Sequence, residues 1–338
     1  MNTGVSKSTI HIKCAVLSAL VGALYLVVGA SPSAFAADRP DAMPSGRQAS
    51  PIVDGQYPAS YFPNTELLGA DEMRITALGT GMPNQTKQAV SISYLVELGN
   101  GEKFLFDIGS GAMGNLFSLR PDFSKLDKVF ASHLHVDHVG DFMGLHIGSW
   151  LSGRYTPLHF YGPSGATPEL GSKTYVEHIQ KAYAWDIATR TGALPDAGGE
   201  IVVHEFDFKQ ENKVVYDEDG VTIRSWPAIH SLDGSVSYSL EWNGLKYVFG
   251  GDTYPNKWYI KYATNADVAS HEAFLPPDDG GRPESSHGDA RLVGTYTYMS
   301  IMETVGFARY FRDPVVAAVG GLGMVPIAAT ALIRKATS

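Results

Sequence analysis

The chain has 338 residues, of which 44% are hydrophobic and 18% charged, and this composition excludes an intrinsically disordered protein. Its 26 basic residues against 35 acidic residues give a net charge of −9. The chain therefore lacks the basic footprint with which a dedicated nucleic-acid-binding protein neutralises phosphates, and large polyanionic partners are disfavoured.

The N-terminal segment, residues 1–36, has the pattern of a secretory signal peptide. Lys7 and Lys13 precede an apolar run, and the small residues Ala34 and Ala36 follow it. Cleavage after Ala36 would place the mature protein in the periplasm or outside the cell, with no stable membrane association; an uncleaved membrane anchor is the alternative. The one cysteine of the chain lies inside this segment, so the mature protein has no disulfide and no thiolate ligand.

Residues 37–72 are predicted to form an extended leader arm, because proline, serine, glycine and aspartate interrupt any periodicity there. From residue 73 onward, short apolar runs alternate with turn residues, which predicts a series of strands. These strands are predicted at 73–78, 91–98, 103–108, 128–132, 158–161, 200–206, 213–216, 221–229, 235–242 and 245–250, with a hairpin turn at Asn243-Gly244. Helices are predicted at 111–119, 141–151, 168–190 and 295–311. This order predicts an α/β (α+β) protein in which helices cover two sheets.

The strongest chemical signal directly follows the predicted strand 128–132. His133, His135, Asp137 and His138 fall within six residues. In extended backbone the side chains of His133 and His135 point to the same side, and Asp137 and His138 reach round from the turn beyond. Imidazole nitrogens with a carboxylate and no sulfur suit Zn²⁺, and also Mn²⁺ or Fe. The cluster therefore predicts a divalent metal centre.

Two further candidate ligands stand where predicted strands end. His230 ends the strand 221–229, and Asp252 follows the strand 245–250. Loops at strand ends present functional groups from a rigid sheet. Taken alone, His230 is more often a core or surface histidine and Asp252 an ordinary turn residue. Beside the first cluster, we interpret both as metal ligands.

Six separated motifs occur in order along residues 73–275. They are Leu78-Gly79-Thr80-Gly81-x-Pro83, Phe106-Asp107-Ile108-Gly109-x-Gly111, the run 133–141, Tyr161-Gly162-Pro163, the strand 236–242 leading to Gly251-Asp252-Thr253, and His271-Glu272-Ala273-Phe274. The series resembles the metallo-β-lactamase superfamily, specifically its branch of RNase Z and related arylsulfatase-like and phosphodiesterase-like enzymes. The segments 226–230 and 242–246 also resemble metallo-hydrolases from cyanobacterial guanitoxin gene clusters.

The resemblance implies a four-layer αββα sandwich over residues 73–292, with two metal ions at one edge of the packed sheets. The implied ligands are His133, His135 and His230 for the first metal, Asp137 and His138 for the second, and Asp252 as a bridge between them. His271 matches a histidine that assists proton transfer near the substrate. Asp107 matches an aspartate that supports the metal loop.

The C-terminal segment, residues 293–338, departs from the family pattern. The family supplies one more histidine after the His271 element to complete the second metal, and His287 is the only histidine left for that role. Residues 315–333 are uncharged, which leaves three interpretations: a buried strand-turn-helix, a weak membrane tail, or an end that is not the native continuation.

The resemblance implies hydrolysis by a metal-activated water, with Asp137 orienting the nucleophile and His271 moving a proton. Covalent catalysis has no candidate, because Gly-x-Ser-x-Gly is absent and the mature chain lacks cysteine. We expect two divalent ions, zinc before manganese or iron, and a small phosphate or sulfate ester as substrate rather than a nucleic acid. The alternatives are a β-lactam or lactone hydrolase and a non-catalytic metal-binding relative.

Overall fold

A computed structural model of the chain describes residues 68–83, 85, 90–272, 315–318 and 330–334. Outside these residues lie the predicted signal peptide, nearly all of the leader arm, the predicted helix 295–311 and His287. Among the described residues, no helix has both the length and the apolarity needed to cross a membrane.

The described strands form two sheets. In spatial order, the first sheet consists of β13 (Thr330–Arg334), β1 (Glu72–Gly79), β2 (Ser93–Leu98), β3 (Lys103–Phe106), β4 (Lys128–Phe130), β5 (Leu158–Pro163) and β6 (Ile201–Phe206). The second consists of β12 (Val315–Ala318), β11 (Val268–His271), β10 (Leu245–Phe249), β9 (Val236–Trp242), β8 (Val221–Pro227) and β7 (Lys213–Glu218). Strands β3 to β6 run parallel to one another, as do β10 to β12, while the other neighbours are antiparallel.

Helices lie on the outer face of each sheet. They are α1 (Ala112–Ser118), α2 (Val136–Val139), α3 (Phe142–Leu151), α4 (Ser172–Ala182), α5 (Ala184–Arg190) and α6 (Lys257–Tyr262). The apolar residues of α1 and α3 pack with the outer face of the first sheet, and those of α6 pack with Trp226, Val248 and Ala269 of the second. The order helix, sheet, sheet, helix confirms the predicted four-layer αββα sandwich.

The core between the sheets follows from the alternation of side chains along each strand. In β3, Phe104 and Phe106 point toward the second sheet, whereas Leu105 points toward the helices. The Phe106 ring lies 5.4 to 5.8 Å, centroid to centroid, from four other aromatic rings of both sheets. Truncating such a side chain to alanine costs about 3 to 5 kcal/mol of folding free energy, so this aromatic cluster fixes how the sheets face each other.

The structure corrects two of the predicted elements and adds two that were not predicted. The predicted helix 168–190 is a 3-10 turn, Pro168–Leu170, followed by α4 and α5, because Gly171 is extended and Tyr183 leaves helical geometry. The predicted strand 221–229 ends at Pro227, because proline has no backbone N–H to donate to a neighbouring strand. The short elements α6 and β11 were not predicted, although Asn256 caps α6 by accepting hydrogen bonds from two backbone amides.

The C-terminal segment contributes an edge strand to each sheet. β13 pairs antiparallel with β1, and β12 pairs parallel with β11. These two strands agree with the strand part of one earlier interpretation of residues 315–333, the buried strand-turn-helix.

Candidate metal centre

Six predicted ligands come together where strands of both sheets end. His133 and His135 follow β4. Asp137 and His138 lie on the single helical turn α2, where the sequence predicted only a turn. His230 follows β8, and Asp252 follows β10. The meeting of these strand ends depends on the packing of the two sheets, since His230 and Asp252 lie 92 or more residues beyond His138 in the chain.

The first donor group consists of His133, His135, His230 and Asp252, whose ligand atoms all lie within 4.8 Å of one another. His135 Nδ1 lies 2.8 Å from His133 Nε2 and 3.1 Å from His230 Nε2. His230 Nε2 lies 3.7 Å from Asp252 Oδ2. Three imidazoles and a carboxylate converging in this way form a donor set that suits zinc.

The second donor group consists of Asp137, His138 and Asp252, and all three are buried. His138 Nε2 lies 3.2 Å from Asp252 Oδ1 and 3.7 Å from Asp137 Oδ2. Asp252 therefore belongs to both groups, with one oxygen toward each. This is the position that the resemblance assigned to a bridging carboxylate.

Burial and charge set the protonation of the two groups. Burial lowers the pKa of His230 to about 4 and, together with the neighbouring His138, holds the pKa of His133 well below its usual range. Both rings are therefore neutral at physiological pH, which is the form that binds metal. Burial alone would lower the pKa of His138, but the carboxylates of Asp252 and Asp107 outweigh burial and raise that pKa well above 6.5.

The buried carboxylates fit a cation. Asp137 Oδ1 is shielded from solvent, and no hydrogen-bond donor in the described part of the chain reaches it. A buried carboxylate oxygen without a donor is costly unless a positive charge compensates it. The donor chemistry, with imidazole nitrogens and carboxylate oxygens only, also matches divalent metal binding.

Asp107 supports the metal loop from behind, as the resemblance implied. Its Oδ1 accepts the backbone amide of Ser132 at 2.7 Å, and its Oδ2 accepts the Ser132 hydroxyl at 2.7 Å. The same Oδ2 lies 2.6 Å from His138 Nδ1. Asp107 adopts a left-handed backbone with φ of 55°, a conformation that is strained for a residue with a Cβ and concentrates at functional sites.

Two glycines allow the backbone to close around the donors. A Cβ on Gly109 would lie 1.8 Å from the Asp137 carbonyl oxygen, so the chain passes here only without a side chain. Gly251, directly before Asp252, has φ of 59°, and a Cβ there would meet Ser132 Cβ at 2.7 Å. The motifs that contain these glycines are therefore requirements of the site.

The predicted proton-transfer residue, His271, is buried at the end of β11. Its Nδ1 lies 2.9 Å from the Glu272 carbonyl oxygen, its ring packs against Tyr259, and burial lowers its pKa to about 4. Glu272, which the sequence analysis named in a motif but gave no role, lies beside Asp252. Its Oε1 accepts the Thr253 amide at 3.0 Å, and burial with the Asp252 charge raises its pKa well above 4.5.

A cavity of about 550 Å³ opens next to the first donor group. His133, His135 and His230 form one side of it. Helix α4 forms another side through Tyr175 and Ile179, and the loops 163–171 and 230–235 close the remainder. The cavity is large enough for a small molecule whose reacting bond lies at the donors.

The two packed sheets and the His/Asp cluster at their edge define the metallo-β-lactamase fold, whose members bind divalent metal ions, typically zinc. Among solved structures, the short form of human tRNase Z has a TM-score of 0.57 at 18% identity, covering 73% of this chain and 92% of that one. YhfI from Bacillus subtilis has a TM-score of 0.54 at 21% identity, covering 75% and 89%.

A family model described as "Anti-Pycsar protein Apyc1" matches residues 73–279. Similar curated proteins include ribonuclease Z of Mycobacterium marinum and of Mycobacterium bovis. Each is 32% identical over 205 residues, which is 59% of this chain and 70% and 69% of those proteins. The chain belongs to the Apyc1 family within the RNase Z-like branch of the metallo-β-lactamase superfamily.

This membership confirms the predicted resemblance and the prediction that the chain is a metallo-β-lactamase-fold hydrolase. The likeness to the guanitoxin-cluster subgroup stays a prediction, as do the roles of the individual ligands. His287, the predicted last ligand of the second metal, lies outside the described residues.

Proposed function

We propose that the protein uses two divalent cations to hydrolyse phosphodiester bonds in small substrates. The observation that carries this proposal is Asp252, which stands between the two donor groups with Oδ1 3.2 Å from His138 and Oδ2 3.7 Å from His230. A carboxylate common to both donor groups would hold two cations close enough to act on one oxygen. The similarity to relatives named ribonuclease Z favours a phosphodiester over a sulfate ester, β-lactam or lactone.

In this proposal His133, His135 and His230 would hold one cation and Asp137 and His138 the other, with Asp252 available to both. When bound, such a pair of cations supplies Lewis acidity and lowers the pKa of water toward neutrality. Asp137 accepts a hydrogen bond from the attacking water through its second oxygen and orients it. His271 and Glu272 are buried and interact with Asp252, and in this proposal they would move a proton near that carboxylate.

A small substrate is favoured over RNA by charge and by shape. The net charge of −9 gives the chain no general attraction for a polyanion. The cavity beside the donors is bounded by α4 and two loops, and its volume of about 550 Å³ suits one small molecule.

A substrate panel tests the proposal. The purified protein is loaded with Zn²⁺ or Mn²⁺ and assayed on bis(4-nitrophenyl) phosphate, a cyclic nucleotide, 4-nitrophenyl sulfate, a lactone, a β-lactam and a precursor tRNA. We expect metal-dependent cleavage of the small phosphodiesters and its loss in His135→Ala. His159→Ala is the matched control, because His159 lies on β5 and contacts His204 rather than the donors. Preference for any other class, or for the tRNA, would contradict the proposal.

Export to the periplasm or beyond the cell is part of the same proposal, supported by the signal-like pattern of residues 1–36. Cell fractionation with N-terminal sequencing tests it. A mature protein that begins at Ala37 is expected, and full-length protein in the cytosolic fraction would contradict export.

A further inference from the structure

The walls of the cavity beside the donors are apolar. Leu134 comes from the metal loop, Leu170 from the loop before α4, Ile179 from α4, and Leu232 from the loop after His230. Leu170 and Leu232 are 49% and 57% exposed, which is costly for leucine unless the surface has an apolar partner. This surface offers contact to an uncharged part of a substrate.

Tyr175 gives the cavity a rigid aromatic face. Its hydroxyl donates a hydrogen bond to the Val139 carbonyl oxygen at 3.0 Å, and its ring packs against Phe142 and Phe160 with centroid distances of 6.1 Å. Because the hydroxyl is engaged and the ring is held in place, what the cavity receives from Tyr175 is apolar surface at little entropic cost.

Apart from the cation proposed at the donors, the charges that border the cavity belong to exposed side chains of one sign. None of the described residues that line the cavity is lysine or arginine, whereas two acidic residues, Glu169 and Asp233, line it. These carboxylates come from two loops that touch each other, since a Cβ on Gly234 would lie 3.4 Å from Gly165 Cα. A second phosphate on a bound substrate would therefore face like charge from two sides without a fixed cation to compensate it.

We propose that Glu169 and Asp233 are specificity-determining residues: they exclude phosphodiesters that carry additional phosphates, so that the cavity accepts a singly charged ester whose other substituent is uncharged and apolar or aromatic. This inference rests on the proposed function, which places the scissile phosphodiester at the donors. It also accounts for discrimination against RNA, because each nucleotide next to the scissile bond brings a further phosphate.

A matched pair of substrates tests the charge filter. Thymidine 5′-(4-nitrophenyl phosphate) and its 3′-phosphorylated derivative release the same 4-nitrophenolate and differ only in the added phosphate. With the metal-loaded full-length protein, we expect kcat/KM to favour the first ester by about tenfold or more. In the double variant Glu169→Gln/Asp233→Asn this preference is expected to fall about tenfold through a lower KM for the phosphorylated ester, while kcat/KM for the other ester changes by less than about twofold.

Glu177→Gln is the control for general charge, because Glu177 lies on the neighbouring helix α4, does not line the cavity and is paired with Lys181 at 2.6 Å. It should leave the preference unchanged. Equal cleavage of the two esters by the wild-type protein, or an unchanged preference in the double variant, overturns the filter. If neither ester is cleaved, the proposed function fails, and the filter is then tested separately by calorimetric binding of both esters to the metal-free protein. Equal affinity of the wild type for the two esters overturns the filter. Tighter binding of the ester without the added phosphate, abolished in the double variant, supports it.

Discussion

Asp107 and His138 meet in the interior of the protein, with Asp107 Oδ2 2.6 Å from His138 Nδ1 and both side chains almost fully buried. This contact places the ring proton of a neutral His138 on Nδ1 and leaves Nε2 facing Asp137 and Asp252. Carboxylates that hold a histidine in this way fix its orientation and make its other nitrogen more basic. The second donor group therefore depends on a residue that belongs to neither group.

We expect Asp107→Asn to fold but to bind the second metal about 10- to 100-fold more weakly, because a neutral amide polarises His138 less than a carboxylate does. Asparagine tolerates the left-handed backbone that Asp107 adopts, so the variant tests charge rather than strain. Competition against a chelator of known affinity measures the effect. Asp122→Asn is the control, because Asp122 is exposed and accepts the Ser124 amide at 3.0 Å, and equal affinities in both variants would refute the role of Asp107.

The shared position of Asp252 predicts how metal content responds to substitution. We expect two bound ions per chain by elemental analysis, about one in His230→Ala, and fewer than one in Asp252→Ala, since only Asp252 belongs to both donor groups. Saturating Zn²⁺ should raise the melting temperature of the wild type, because a ligand at 100 times its Kd adds about 2.7 kcal/mol to the free energy of unfolding. His159→Ala should keep both ions, and full metal content in Asp252→Ala would exclude the bridging role.

The part of the site that could be predicted from the sequence is the part that depends on the spacing of neighbouring residues. His133 and His135 stand two residues apart after a strand, so their approach to one point follows from strand geometry alone. The positions of His230 and Asp252 after strands were also predictable, although their meeting with the first cluster required the family resemblance, because the packing of two sheets brings those strand ends together.

Glu272 illustrates what the sequence could not show. It reaches Asp252 because β11 pairs in parallel with β10, which sets residue 272 beside the loop that follows β10. That pairing joins short strands separated by a helix, and a strand of four residues such as β11 has too little periodicity to be recognised. Glu169 and Asp233 were missed for a different reason: they border one cavity because two loops meet there, and no local sequence pattern indicates that meeting.

Gly109 provides a test of how tightly the metal loop is packed. We expect Gly109→Ala to lower the free energy of unfolding by about 3 kcal/mol or more, because its Cβ would overlap the Asp137 carbonyl oxygen at 1.8 Å and backbone must move to admit it. Chemical denaturation of the metal-free protein measures the change without contributions from metal binding. Gly114→Ala is the control on α1, where no atom lies within 4 Å of the added Cβ, and it should stabilise the helix by up to about 1 kcal/mol. An equal free energy of unfolding in the two variants would show that the metal loop moves to admit the added Cβ without a cost in stability.

His146 predicts a pH dependence of folding that is independent of the metal centre. Burial and the adjacent Arg154 guanidinium lower the pKa of this α3 side chain from 6.5 to about 4. The unfolded chain therefore binds more protons than the native protein between these values, so the contribution of His146 is complete above pH 6.5 and is lost as the pH falls toward 4. The loss is on the order of 3 kcal/mol by pH 4. Urea unfolding of metal-free protein across this range should show a shallower pH dependence in His146→Asn, whose amide oxygen can accept the Arg154 hydrogen bond but does not titrate. His178→Asn, an exposed histidine of α4, should retain the wild-type slope, and an unchanged slope in His146→Asn would mean that the ring is not held neutral by its surroundings.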